Sequence, residues 1–399
     1  MLLNKLLKRK SLIVLGINSG TSADSLDLCA VRISRTESKK NIKVLAHRNY
    51  RFPDSLRKQI HHQIHCNKIT PESIIQLDNI LGMFIGLKAK ALTEKLRMDK
   101  ITVDLIASHG QTIRHRPARI KLGQYLINGT LQIGSLDFIA AQCGKVVIGN
   151  FRQADIAVGN EGAPITTGAM KELFSAIKPR LIINIGGISN YFYFPSEKSK
   201  NKISAADCGP GNSLCDLLAE KLFNKPFDKN GAIARKGAIS QRLLSLLLSK
   251  PFFSNKQIST GREEFGLKTA GDIIDFGKSL GLSDEDLMAS VAELTILGIL
   301  NGVKILYEND AELDKLYLTG GGRKNTFFRE RLNGYLPEIE IRLIDELGID
   351  GDFVEAAAYA VLGEASLRSE SLENYRHKDN KDVLIPILGH IVQPPKVRN

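Results

Sequence analysis

The chain has 399 residues, 43% hydrophobic and 25% charged, the composition of a soluble globular protein too long for a single core. A formal net charge of +12 points first to nucleic acid or an anionic membrane, but the Lys and Arg are scattered outside Lys8-Arg9-Lys10 and the tail around Lys396 and Arg398. Tryptophan is absent and aromatic residues reach only 6%, so no stacking platform for bases is expected, and attraction for an anionic substrate such as ATP accounts for the charge more simply.

Taken along the chain, Lys8-Arg9-Lys10 and the apolar run 12–17 imitate a signal peptide, but the run is short, lacks a small-residue cleavage site and enters a Gly-Thr-Ser turn. It reads as a first strand. Further strands are predicted at 28–34 and 43–52, the first two enclosing a turn at 19–27. Apolar residues at helical spacing predict a helix over about 71–97, with Pro71 near its start. A buried strand follows at 105–108. The pattern restarts with a strand at 181–185 that ends in Gly186-Gly187. Helices are predicted at 213–222, 240–248 and 285–306, a strand at 315–319 ending in Gly320-Gly321-Gly322, and an Ala-rich helix at 352–367. Residues 369–382 read as a polar surface connection. No stretch is expected to be long enough to span a membrane. Five widely spaced cysteines with no CxxC pair fit a reducing cytoplasm rather than a zinc site or disulfide framework.

A strand, a glycine turn and a returning strand thus occur twice, near Gly20 and near Gly186, which suggests two related halves facing a cleft. The most informative stretch is Ala206-Asp207-Cys208-Gly209-Pro210-Gly211-Asn212, which sets one carboxylate in a glycine-rich turn where a ligand can approach closely. Asp207 is a candidate general base there; the plainer reading is an Asx-turn capping the next helix. Gly20-Thr21-Ser22-Ala23-Asp24 offers backbone N–H groups and hydroxyls suited to phosphate, with Asp24 or Asp27 able to hold magnesium through water, although a lone Gly-Thr-Ser is more often an ordinary hairpin turn. Neither G-x-x-x-x-G-K-[ST] nor G-x-G-x-x-G occurs, which argues against P-loop and Rossmann sites.

Ser108-His109-Gly110-Gln111-Thr112 ends a buried strand where open α/β sheets bind ligands; His109 orients a hydroxyl, accepts a proton or, more commonly, is structural. Arg152 and Asp155, with the glycines up to Pro164, suit a substrate loop or a plain connection. Asn184-Ile185-Gly186-Gly187-Ile188-Ser189-Asn190 matches a second phosphate hairpin. Gly320-Gly321-Gly322-Arg323-Lys324-Asn325 exposes bare backbone on which an adenine could lie. Glu355 either reaches the ligand or complements the helix dipole.

In their order, these motifs, together with Leu131-Gln132-Ile133-Gly134, Gly162-Ala163-Pro164, Ser259-Thr260-Gly261-Arg262-Glu263 and Gly351-Asp352, resemble the anhydro-N-acetylmuramic acid kinase family over about residues 12–391. The resemblance implies the two-domain α/β fold of actin, hexokinase and the Hsp70 ATPase, with an ATP cleft between the domains. Domain I would hold 11–156 plus 375–399 and domain II 157–374, with 1–10 as an extension. It implies a cytoplasmic, homodimeric enzyme of peptidoglycan recycling that uses ATP and magnesium, with neither nucleic acid nor membrane as partner. The reaction opens the 1,6-anhydro bridge with water and phosphorylates O6. Asp207 is then the base; Gly20, Thr21, Ser22, Ala23, Asp24, Ser25, Leu26, Asp27, Gly186, Gly187, Gly320, Gly321, Gly322 and Asn325 face ATP; His109, Gln111, Arg152, Asp155 and Glu355 face the sugar; Asp24 holds magnesium through water.

The chain departs from the family pattern in three places, two single residues and one loop. Ser25 stands in place of a glycine and is expected to crowd a phosphate contact. Cys208 replaces a threonine, and Gly159-Asn160-Glu161-Gly162 replaces a Gly-Gly-Gln-Gly loop that bears on sugar preference. A kinase for another anhydro-sugar, similar to levoglucosan kinase, and a non-catalytic actin-like nucleotide-binding protein are the alternatives.

Overall fold

The computed structural model describes residues 2–20, 22–36, 40–66, 68–174, 179–196, 199, 202–254, 260, 264–309, 311–372 and 384–396. Thr21, Ser259, Gly261, Arg262 and Glu263, and most of the 369–382 connection, lie outside them. The chain packs as two compact units, Met1–Leu173 with Phe353–Asn399, and Phe174–Asp352.

In the first unit the strands are β1 (Ser11–Asn18), β2 (Ser25–Arg35), β3 (Lys40–Arg51), β4 (Leu105–Ser108), β5 (Gln111–Leu122), β6 (Tyr125–Ile133) and β7 (Val146–Gly149). In the second they are β8 (Arg180–Ile185), β9 (Ile188–Phe194), β10 (Ser204–Pro210), β11 (Lys315–Thr319) and β12 (Glu340–Leu343); β13 (His390–Val392) returns to the first. The first sheet runs β13-β7-β4-β1-β2-β3, the second β10-β9-β8-β11-β12, and β5 and β6 form a separate hairpin.

β1 pairs antiparallel with β2 and β2 with β3, whereas β1, β4 and β7 are parallel neighbours. The second sheet repeats this order and these directions: β8 with β9 and β9 with β10 antiparallel, β8, β11 and β12 parallel. The repeat is the duplicated α/β architecture of the actin, hexokinase and Hsp70 ATPase fold. All four residues of β4 and of β7 are buried, as parallel strands covered on both faces require.

Helices cover the sheets with faces that the sequence spacing dictates. Pro71–Met98 turns Leu77, Leu81, Ile85, Ala89, Leu92 and Leu96 into the first core, and Thr70 caps it by accepting the Ser73 N–H at 3.2 Å. Val354–Leu367, expected in the second domain, packs on β1, β2 and β4 of the first unit instead. Its alanines permit a very close approach: a Cβ at Gly16 would sit 1.9 Å from the Ala356 carbonyl oxygen.

In the second unit, Asp284–Glu308 starts with a capping box of Ser283 and Asp286 and runs through the core against β10 and β9. This helix has the length and apolarity of a membrane span, contrary to the expectation that no stretch does, but 72% of its most apolar window is buried within the protein.

The N-terminal extension is tied to the first unit. Leu2–Leu7 is helical, Arg368 donates to the Leu7 and Arg9 carbonyls at 3.1 and 2.7 Å, and Arg9 pairs with Asp104. Arg368 also pairs with the buried Glu364, which Arg35 clasps at 2.6 and 2.7 Å. A buried carboxylate with two guanidinium partners holds the helix end in place, since only loss of both would leave its charge uncompensated.

Candidate active site

The turn joining β1 to β2 spans 19–24, shorter than the expected 19–27, because Ser25, Leu26 and Asp27 already belong to β2. Ala23 donates its N–H to the Gly20 carbonyl at 3.1 Å and adopts a left-handed φ of 55°, closing a tight turn. Ser19 and Gln111 brace it from below: the Ser19 hydroxyl donates to Gln111 Oε1 at 2.5 Å and to the Ser25 carbonyl at 3.1 Å. Gln111, expected to meet the sugar, is buried and places its side-chain oxygen on this brace. Leu26 turns its side chain into the core, so only its backbone is free to take part in binding. A Cβ on Gly20 would meet nothing within 4 Å, leaving the mouth of the turn open to a ligand.

Asp24 lies at the rim, with His61 Nε2 3.5 Å and Arg57 3.9 Å from Oδ1. Partial burial raises its carboxyl, but His61, Ser22 and Arg57 together outweigh that and hold it below the ordinary value. It is therefore ionised at neutral pH. With His61 and the Arg57 cation beside Oδ1, the carboxylate suits contact with a hydrated magnesium through water rather than direct ligation. Among the described residues no group of three or more His, Cys, Asp or Glu forms a metal-binding cluster.

Ser25 does not point its hydroxyl at the turn's mouth. Asn49 donates to Ser25 Oγ at 2.8 Å and to Asp27 Oδ1 at 2.7 Å, so both side chains are held toward β3. A hydroxyl held in this way by Asn49 argues against the crowding of a phosphate. Ser25→Gly should leave the ATP Kd, measured by calorimetry, within about twofold, a difference of under ~0.5 kcal/mol; a tenfold tightening would restore the crowding account.

A second cluster in the same unit centres on Arg152, in the helix Phe151–Ala157. Arg152 Nε donates to His109 Nε2 at 3.0 Å and Nη1 to the Gly162 carbonyl at 2.7 Å. His109 Nδ1 is 3.2 Å from the Gly110 carbonyl and the ring stacks on Tyr359 at 4.7 Å. Burial, reinforced by the Arg152 charge, drives the imidazole pKa well below its ordinary value. His109 is thus a neutral acceptor that aims Arg152, and its engaged Nε2 cannot serve as a base. Asp155, expected at the sugar, is 2% exposed and binds the loop itself: Oδ1 accepts from Asn160 Nδ2 at 3.0 Å and Oδ2 from the Gly162 N–H at 2.8 Å. Asn128 and Arg119 of the β5–β6 hairpin hold the carbonyls of Asn160 and Gly159. The loop that departs from the family pattern is therefore clamped by Arg152 and Asp155 of the preceding helix and by the β5–β6 hairpin. Glu355 is solvent-exposed and accepts from Asn18 Nδ2 at 2.7 Å.

In the second unit the glycine motifs converge. Asp207 is not in a turn but on β10, opposite Asn190 of β9, just before a bulge that shifts the register at Cys208. It does not cap the following helix either; Gly211 is the cap of Asn212–Phe223. Asp207 Oδ2 accepts the Thr260 N–H at 2.7 Å.

Past the bulge, the Asn212 and Gly211 N–H groups donate to the Gly186 and Gly187 carbonyls at 2.7 and 2.9 Å. This satisfies the start of the helix and turns the Gly187 N–H, antiparallel to the Gly186 carbonyl in a planar peptide, to the opposite side. The approach requires glycine: a Cβ at Gly211 would lie 2.2 Å from the Gly186 oxygen.

Gly320-Gly321-Gly322 packs onto the end of β8. A Cβ at Gly320, whose φ is 76°, would meet Asn184 Oδ1 at 2.4 Å, and one at Gly322 would meet Ile185 Cγ2 at 2.3 Å. Gly321 alone has no such neighbour and stays exposed, which makes it the position on which a flat ring can rest. Asn325 caps Thr326–Tyr335 by accepting the Phe327 N–H at 3.0 Å, a structural use of a residue expected at ATP.

Arg323 was not anticipated. It is 4% exposed and binds Asp345 at 3.0 Å, Asp350 at 2.9 Å and Asp352, while donating to the Gly320 carbonyl at 3.2 Å. Burial opposes its charge, but the bonds to Asp345 and Asp352 outweigh it and raise its pKa further. It locks the glycine loop onto the 345–352 segment. The only sequence signal was an Arg directly after three glycines; its acidic partners lie more than twenty positions away.

A family model described as anhydro-N-acetylmuramic acid kinase matches residues 12–373. A curated protein of that name from Bacillus thuringiensis subsp. konkukian is 33% identical over 388 residues, covering 96% of this chain and 99% of its own. Another, from Crocosphaera subtropica, is 35% identical over 358 residues, covering 87% and 90%. Among solved structures, the activator of the 2-hydroxyisocaproyl-CoA dehydratase from Clostridium difficile with bound ADPNP is 11% identical with a TM-score of 0.41 over 94% of this chain and 100% of that one; nothing below rests on it.

Proposed function

Because the chain belongs to the anhydro-N-acetylmuramic acid kinase family, we propose that it uses ATP and water to convert 1,6-anhydro-N-acetylmuramic acid into N-acetylmuramate 6-phosphate, a step of peptidoglycan recycling. The observation that carries this reading furthest is Asp207, a carboxylate on a bulged strand end beside two glycine turns suited to a nucleotide.

Asp207 takes the proton from a water that attacks C1. The C1–O6 bond breaks, O6 bonds to the γ-phosphorus, and the bond from that phosphorus to the β,γ-bridging oxygen breaks, releasing ADP. A glycosidase needs a second carboxylic acid to protonate the departing oxygen. Here phosphoryl capture replaces that proton, so one carboxylate suffices.

The Thr260 N–H fixes the orientation of Asp207, leaving its position set by backbone. In the first unit the turn after β1 offers backbone N–H groups suited to phosphate; in the second the Gly186-Gly187 hairpin does the same and Gly321 offers a surface for the adenine. Arg152, aimed by neutral His109, offers a charge suited to the sugar's carboxylate, and Glu355 with Asn18 a hydrogen-bonding pair for its hydroxyls. Bound magnesium would screen the phosphate charge, with Asp24 touching its water shell. We place the enzyme in the cytoplasm, in keeping with five cysteines of which none forms a disulfide. The homodimer, and the absence of nucleic-acid or membrane partners, rest on the family resemblance.

ADP release measured over a panel of 1,6-anhydro-N-acetylmuramic acid, levoglucosan and free N-acetylmuramic acid tests the reading. We expect turnover of the first well above the others; preference for levoglucosan or for the open sugar would overturn it.

A further inference from the structure

The strand register sets four polar residues in one row across the second sheet. Thr319 pairs with Asn184, Asn184 with Asn190, and Asn190 with Asp207. Residues directly opposed in neighbouring strands carry their side chains on one face, with Cβ atoms about 4.5–5.5 Å apart. Asn190 is therefore the immediate neighbour of the base.

Its side chain is unusual among its neighbours. Asn190 Oδ1 is buried and has no hydrogen-bond partner among the described residues. The adjacent Ser189 donates to the Gly209 and Pro210 carbonyls at 3.2 Å, and Thr319 donates to the Gly351 carbonyl at 3.0 Å. Polar atoms in folded proteins are rarely buried without a partner, because desolvation costs about 1–3 kcal/mol with no return. A group so placed, beside the one carboxylate the chemistry needs, calls for a ligand.

We propose that Asn190 Oδ1 is the second acceptor for the attacking water. This rests on the reaction proposed above. A water that gives one proton to Asp207 still carries a second O–H. Bonded to two acceptors at once, it is fixed in orientation and turns a lone pair toward C1. Asn190 exchanges no proton: the O–H bond to Asp207's side breaks, the O–C1 bond forms, C1–O6 breaks, and the second O–H becomes the anomeric hydroxyl. Asn190 thus orients the nucleophile while Asp207 activates it.

The test uses the full-length enzyme with Asn190→Ala and Asn190→Asp, measuring kcat and KM for 1,6-anhydro-N-acetylmuramic acid, ATP Kd by calorimetry, and melting temperature. For Asn190→Ala we expect kcat to fall about 100-fold, as when one aligned polar group is removed from a reacting centre, with ATP Kd and melting temperature unchanged. For Asn190→Asp, the added carboxylate disfavours ionisation of Asp207 and moves the acidic limb of the pH–kcat profile upward. The limb reports how close residue 190 stands to Asp207, and the kcat loss of the Ala variant at unchanged ATP Kd and melting temperature separates an orienting role from a structural one. Ala-variant kcat within about threefold of wild type, an unmoved pH limb, or a kcat loss matched by loss of ATP binding or of melting temperature would overturn the assignment. Wild-type turnover in the same assay shows that the reaction itself stands; its absence sinks both.

Discussion

Asp207→Asn should bind ATP with unchanged affinity and lose kcat by roughly 10³–10⁴-fold, the upper range for removing a general base. The substitution keeps the shape of the side chain. An amide oxygen can still accept the Thr260 N–H that Asp207 Oδ2 accepts at 2.7 Å, so β10 and its bulge need not move. What is lost is the capacity to take a proton from water. Calorimetric ATP binding alongside steady-state ADP release measures both. A kcat near wild type would remove Asp207 from the mechanism, and a parallel loss of ATP binding would make it a structural residue.

The second large effect is expected at Gly211. Alanine there places a Cβ 2.2 Å from the Gly186 carbonyl oxygen, and neither side of that contact is a flexible side chain. To relieve it, the start of the helix Asn212–Phe223 must part from the Gly186-Gly187 hairpin. The bonds from the Gly211, Asn212 and Ser213 N–H groups to the hairpin carbonyls then lengthen together. Each buried donor left without a partner costs about 1–3 kcal/mol. We expect a melting temperature lower by about 5–10 °C and an ATP Kd raised at least tenfold, about 1.4 kcal/mol. Gly271→Ala is the control: it lies within the helix Leu267–Ser279, and its Cβ would meet nothing within 4 Å. That variant should be neutral or stabilised by about 0.5–1 kcal/mol. Equal behaviour of the two variants would contradict the close approach.

Much of the fold was legible because the strands that build it are short apolar runs with clear ends. The strands at 105–108 and 315–319 were predicted to the residue: the first is a continuous buried run, the second alternates partly buried and buried residues, and each is stopped by polar or glycine punctuation. The twofold strand, glycine turn and strand pattern is the duplicated half of each sheet. The β5–β6 hairpin was not read, because β5 carries Pro117 and a string of basic residues where a strand would show alternation. Asp207 was read into a turn because Gly209-Pro210-Gly211 is strong turn punctuation; pairing with β9 carries the strand through it, and the bulge absorbs the mismatch.

At the site, residue types pointed to the right loops but not to what each side chain touches. Gln111, Asp155, Leu26 and Asn325 all sit in the predicted motifs, yet the structure uses their side chains to brace Ser19, bind the 160–162 loop, fill the core and cap a helix. Those directions depend on partners elsewhere in the chain, such as Ser19 for Gln111, and no local spacing encodes them. Arg323 was missed for the same reason: its three aspartates lie 22 to 29 positions away.

Oxygen tracing tests the coupled chemistry most directly. If water opens the bridge at C1 while O6 captures the phosphoryl group, turnover of 1,6-anhydro-N-acetylmuramic acid in ¹⁸O-water labels the anomeric hydroxyl and leaves the phosphate unlabelled, with the inverted anomer formed first. The product must be read promptly, because a free anomeric centre exchanges slowly with solvent. Label in the phosphate on first formation, or an unlabelled anomeric oxygen, would contradict it.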